Sequence, residues 1–266
     1  MPSGRSLTRR QLCLGLPLLL AATAGRAQVR DLNDAINKAG RQRMLSQRCA
    51  KAWLAIGQKV RPDQADKVLS ESMALFDRQL VELRAFSPSP AIRTTYDQLD
   101  AAWSAYKTAL VGAAPSKTGA DAMLAAAARV LQLADQGTQQ LEQASGKPVG
   151  RMINIAGRQR MLSQRMAAMY LGASWGVQST AATQALDQAR DEFTRALVVL
   201  KAAPEATPAI KAELDLAEQQ YGFFDSALRS LKAGAADARA QADVFTTSER
   251  ILQVMDGVTA LFARAS

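Results

Sequence analysis

The string Ala39 to Arg48, AGRQRMLSQR, returns letter for letter at Ala156 to Arg165. The match extends to Ile36-Asn37 and Ala50 on one side, and to Ile153-Asn154 and Ala167 on the other; within that window only Lys38/Ile155 and Cys49/Met166 differ. Two copies of one module therefore share this chain. Cores tolerate apolar swaps of similar volume, and the rest of the two halves has diverged far. A string with three arginines held identical points to a chemical task. Phe76, Leu80 and Leu83 match Phe193, Leu197 and Leu200 in the same register. Leu131-Gln132 and Asp135 match Leu252-Gln253 and Asp256, and Ser145 matches Ser266. The repeats span residues 28–145 and 146–266, joined at Gly146-Lys147-Pro148. Two repeats are too few for a solenoid, which needs about three or more. A pseudo-symmetric pair of domains is the simpler expectation.

Residues 1–27 read as an export signal. Arg5, Arg9 and Arg10 precede an apolar run from Leu12 to Ala24, too short to span a bilayer. Ala22-Thr23-Ala24 supplies small residues for cleavage, so the mature chain is expected to begin between Gly25 and Val29. Thr8-Arg9-Arg10-Gln11-Leu12 resembles a twin-arginine signal, and the general secretory route stays open beside it. The expectation is a soluble periplasmic protein with no transmembrane helix in its mature chain.

The formal charge of +9 falls to about +5 without the signal, and no basic tract suits nucleic acid. The chain has no histidine, and its mature part keeps one cysteine, Cys49. That removes the commonest general base, the serine triad, most zinc chemistry and any intrachain disulfide. An enzyme is hard to build from this inventory. Neither a metal nor a cofactor is expected.

Each repeat reads as four helices. In the first they run from Leu32 to Lys59, Gln64 to Phe86, Ala91 to Leu110 and Ala120 to Ala144, with prolines and glycines at the breaks. Leu69, Met73, Phe76, Leu80 and Leu83 form a core stripe at helical spacing, and Trp103, Tyr106, Tyr221 and Phe224 read as core. The fold class is all-α: two tandem antiparallel four-helix bundles related by a pseudo-two-fold axis.

The repeated string lies on the first helix of each bundle. At 100° per residue Ile36, Arg43, Gln47, Ala50 and Leu54 share a narrow stripe bordered by Gly40. Ile153, Gly157, Arg160, Gln164, Ala167 and Leu171 repeat it. Arg43 and Arg160 thus rise from an apolar seam, which is costly unless an anion or carboxylate meets them. If the two helices face each other, the guanidinium groups become neighbours. A small oxoanion between them would use both planar forks, with Ser46, Ser163, Gln47 and Gln164 adding polar contacts and Gly40 and Gly157 allowing close approach. The competing reading pairs each arginine with a carboxylate of another helix, such as Asp135 or Asp256. Arg41, Arg48, Arg158 and Arg165 lie to the side; they are secondary ligand candidates, and Arg41 and Arg48 read more naturally as solvated.

The segment Asn37 to Arg48 resembles the signature of the extracytoplasmic sensor domain of type IV pilus methyl-accepting chemotaxis transducers. It is more distantly similar to the periplasmic domain of nitrate/nitrite sensor histidine kinases. The resemblance implies a four-helix bundle. In the nitrate sensors the first helices of two subunits clasp the anion through the arginine of a Gly-x-x-Arg-Met run. Gly40-Arg41-Gln42-Arg43-Met44 and Gly157-Arg158-Gln159-Arg160-Met161 match that run, so one chain with two repeats would imitate the dimer. Leu45 and Gln47 stand where the nitrate sensors have glutamine and tyrosine, which leaves nitrate specificity open. The resemblance implies a soluble oxoanion-binding sensory protein, nitrate or nitrite favoured, working beside a membrane-bound sensor or transducer. The alternative is a ligand-free helical module that docks to a membrane sensor or pilus component.

Overall fold

The computed structural model describes residues 28–232 and 234–265. The export-signal reading of residues 1–27 and the Ser145–Ser266 match lie outside them. Among the described residues there are helices and turns and no strand. In repeat one, α1 is Leu32–Gly57, α2 Pro62–Phe86, α3 Pro90–Val111 and α4 Ala120–Ser145. In repeat two, α5 is Pro148–Ser174, α6 Ser179–Ala202, α7 Pro208–Leu228 and α8 Ala238–Arg264. Among the described residues no helix is long and apolar enough to cross a membrane.

The breakers act locally as their chemistry dictates. Asp31, Ser89 and Thr207 cap α1, α3 and α7 by accepting from the backbone N–H three residues on. Pro62, Pro90, Pro148 and Pro208 occupy first helical positions. Proline's preset φ suits that place and its missing N–H costs nothing there. This shifts two expected starts: α2 begins at Pro62 rather than Gln64, and α3 at Pro90 rather than Ala91. At the other end α1 stops at Gly57, because Lys59 and Arg61 turn left-handed at φ 58° and 45°. Gly146 closes α4 at φ 59°, a conformation glycine takes without steric cost.

Within repeat one α1 packs on α2 and α4, and α3 on α4. In repeat two α5 packs on α6 and α8, and α7 on α8, in the same pattern. The repeats meet chiefly along α1 and α5, with α1 also touching α8 and α4 touching α5. One apolar cluster runs through both, from Ile36, Leu54, Phe76 and Trp103 to Ile153, Leu171, Phe193 and Phe224. Trp103, Tyr106, Tyr221 and Phe224 are buried, as their spacing predicts. Because neighbours surround them on most sides, α1 and α5 are buried along nearly their whole length. The repeated string is thereby carried into the middle of the molecule.

Candidate functional site

Small residues make the approach of α1 and α5 possible. A Cβ on Gly40 would lie 3.7 Å from the Cα of Gly157, 3.3 Å from Nη2 of Arg43 and 3.4 Å from Nη2 of Arg160. A Cβ on Gly157 would meet the same atoms reciprocally, at 3.7 Å from the Cα of Gly40 and 3.2 and 3.6 Å from the two Nη2 atoms. The two motif helices do face each other, and the guanidinium groups of Arg43 and Arg160 converge at the glycine crossing. Both side chains are essentially removed from solvent, at 1 % and 0 % exposure.

Each is met by a carboxylate of its own repeat. Nη1 of Arg43 donates to Asp135 of α4 at 2.6 Å, and Nη1 of Arg160 to Asp256 of α8 at 2.5 Å. Across the seam, Nη2 of Arg43 donates to the Asn154 side-chain oxygen at 2.7 Å and its carbonyl at 3.2 Å. Nη2 of Arg160 donates to the Asn37 carbonyl at 3.0 Å. Among the described residues the Nε of each arginine is buried without a partner. Burial lowers both guanidinium pKa values against the attraction of the aspartates, Arg160 to about 10. Burial tends to raise Asp256, but the charges of Arg160 and Arg41 override it and hold its carboxyl below the usual range.

The flanking arginines correct the solvated reading. Arg41 reaches across to Asp256 at 2.8 Å, and Arg158 approaches Asp135 at 3.6 Å while bonding Glu192 of α6. Each aspartate thus serves the central arginine of its own repeat and a flanking arginine of the other. Arg48 forks onto Glu249 of α8, at 3.1 Å from Nε and 2.5 Å from Nη2. The hydroxyls expected near the guanidinium pair are turned away. Ser46 donates to the Arg43 carbonyl and Ser163 to the Arg160 carbonyl, both at 2.8 Å. Gln47 donates to Ser46, and Gln164 to Ser163 and the Ser248 carbonyl.

Lys51 and Glu249 escape a reading of the repeated string. Lys51 is fully buried and donates to Glu249 at 2.5 Å and to Ser248 Oγ at 3.0 Å, with its ammonium 4.5 Å from the centre of the Phe245 ring. Burial lowers it to about 8 despite Glu249. Burial tends to raise Glu249, but Lys51 and Arg48 hold its carboxyl at about 2. A signal for both was present in the repeat comparison. The repeat register sets Lys51 against Ala168, and Glu249 against Ala128, so cation and anion are gained or lost together. Arg165, the copy of Arg48, has no hydrogen bond or ion pair among the described residues.

No group of histidine, cysteine or acidic side chains among the described residues is arranged to hold a metal ion. Cys49 is buried, and burial drives its thiol pKa well up, which makes it inert. The arrangement is a charge-paired seam between two bundles, with its central guanidinium groups buried and its aspartates partly open to solvent.

Comparison with known proteins returns a match to one family model, type IV pili methyl-accepting chemotaxis transducer N-terminal, over residues 26–135 and again over 140–244. No curated protein and no solved structure matches the chain. The two matched segments follow one another along the chain and cover most of the sequence, so the chain belongs to the type IV pili methyl-accepting chemotaxis transducer N-terminal family, in tandem duplicate.

Proposed function

We propose that the protein is a periplasmic sensory protein whose sensing element is the α1/α5 seam, and that the signal is a small oxoanion, nitrate or nitrite first among the candidates. The observation that carries this reading is the convergence of two buried guanidinium groups at Gly40 and Gly157, each keeping one buried N–H donor without a partner. A buried unmet donor costs on the order of 1–3 kcal/mol, and a planar oxoanion is the complement of a guanidinium edge. Asp135 and Asp256 then act as internal competitors. They neutralise the arginines until an anion takes their place, and their release loosens α4 and α8 against the seam. Such a change can be passed to a membrane-bound transducer.

The same aspartates favour a second reading: a ligand-free interaction module in which the pairs only specify how the two bundles meet. Thermal melts against nitrate, nitrite and sulfate separate the two. On the sensory reading nitrate or nitrite raises the wild-type midpoint. Arg43→Ala or Arg160→Ala weakens binding roughly ten- to a hundredfold, the effect of one charge-assisted hydrogen bond. Asp135→Asn strengthens binding by removing the competitor. If no anion moves the wild-type midpoint, and Asp135→Asn merely destabilises, the seam is structural.

A further inference from the structure

The repeats are not equivalent on their two outer faces. On one, α1 meets α8, and Arg48 lines an open groove in which Glu249 meets its charge, with Lys51 and Phe245 packed behind Glu249. On the other, α5 meets α4, and the repeat register puts Ala168, Leu124 and Ala128 in their places. Three large side chains are thus replaced by smaller ones, two of them charged, while the arginine is retained as Arg165. On that face a cavity of about 220 Å³ lies between α4, α5 and α6, and no carboxylate lines it. Its wall is largely apolar, with Leu124, Ala128, Met169 and Ala181 among its residues, and Arg165 is the one charged side chain lining it. Gln47 adds a polar edge. Arg165 is partly buried and, with burial and Arg158 acting against its charge, its pKa is lowered. The nearby Glu192 is bonded to Arg158.

We propose that this cavity is a binding site for a small aliphatic monocarboxylate, whose carboxylate takes on Arg165 the place that Glu249 takes on Arg48, and whose chain lies against Leu124, Met169 and Ala181. The volume suits it. An apolar cavity of about 150 Å³ takes up benzene, so this one has room for a ligand the size of pentanoate. The mixture of an apolar wall with one oriented charge is the usual make-up of a small-molecule site, and an arginine fork matches a carboxylate with two donors. The site shares no arginine with the α1/α5 seam, so it stands whether or not the seam binds an oxoanion.

The test is calorimetry and thermal melting of the full chain with pentanoate, with pentan-1-ol as the uncharged control. Pentanoate is expected to bind and raise the midpoint, and pentan-1-ol to bind at least tenfold more weakly. Arg165→Met removes the charge, and Ala128→Glu builds the internal carboxylate that the other face already has. Ala128 is exposed, so its replacement disturbs no core. Both variants should lose pentanoate binding by ten- to a hundredfold, and Ala128→Glu should leave any nitrate response of the seam unchanged. Absence of a pentanoate response in the wild type overturns the proposal. So does an equal response to pentan-1-ol, or a response that survives in the folded Ala128→Glu protein.

Discussion

Glu249 is the residue on which most of the buried charge of one face depends. It accepts from Arg48 and Lys51 together, and Lys51 has no exposure to water. Its carboxyl is held at about 2 in the folded chain, against an ordinary 4.5. A folded pKa below the unfolded one means that the unfolded chain binds more protons in that window. The stabilisation is therefore complete above about pH 4.5 and is lost as pH falls towards 2. A shift of that size corresponds to on the order of 3 kcal/mol. Urea melts between pH 7 and pH 2.5 should show this acid-side loss, and Glu249→Gln should flatten it. At pH 7 the same substitution should lower stability by about 3–5 kcal/mol, because it strands two buried cations. A variant as stable as wild type at pH 7, with an unchanged acid limb, would show that the cluster is solvated and carries no such energy.

At the scale of the element, the seam depends on two glycines in mid-helix. Glycine there costs about 1 kcal/mol against alanine in helix propensity, so its presence needs a packing reason. The guanidinium groups supply one, since a Cβ on Gly40 would lie 3.3 Å from Nη2 of Arg43 and a Cβ on Gly157 3.2 Å from Nη2 of Arg160. Gly40→Ala is expected to be nearly neutral, since the propensity gain offsets slight crowding of the two Nη2 atoms. Gly40→Leu should force the helices apart, with a loss of about 1–3 kcal/mol from overpacking, measured as a lower urea midpoint; a midpoint equal to that of Gly40→Ala would deny the close approach. Helical spacing and the identical strings were enough to read this crossing, the burial of Arg43 and Arg160, and Asp135 and Asp256 as their competing partners. The helix ends were legible to within two residues, because proline and glycine act through their own backbone. The pairing of Arg41, Arg48 and Arg158 was not. Their wheel angles set them beside the stripe, and nothing on one helix reports that a helix of the other repeat, or α6, brings a carboxylate there. Lys51 was missed for a simpler reason: attention to what the repeats share passes over paired differences such as Lys51/Ala168 and Glu249/Ala128.

Those paired differences bear on the whole molecule, since they make the first repeat complementary to the second and not to itself. The shared contacts, Arg43 with Asp135 and Arg41 with Asp256 in one sense, Arg160 with Asp256 and Arg158 with Asp135 in the other, suit any pairing of repeats. The outer faces do not. Two copies of residues 28–145 joined through α1 would set Arg48 and Lys51 against Ala128 on both faces, with two cations and no carboxylate on each. Two copies of residues 146–266 joined through α5 would set Arg165 against Glu249 on both faces, one cation to one anion. Unpaired cations in a partly dry interface cost several kcal/mol, whereas a matched arginine–carboxylate pair is at worst neutral and fixes register. Sedimentation of the separate fragments should therefore find 146–266 dimerising at least tenfold more tightly than 28–145. Ala128→Glu introduced into the 28–145 fragment should recover dimerisation by restoring the carboxylate. Mixing the two wild-type fragments should give a heterodimer, with the α1/α5 seam reassembled. Preferential dimerisation of 28–145, or no gain from Ala128→Glu, would mean that the apolar seam alone decides how repeats pair and that the outer charges diverged without consequence for assembly.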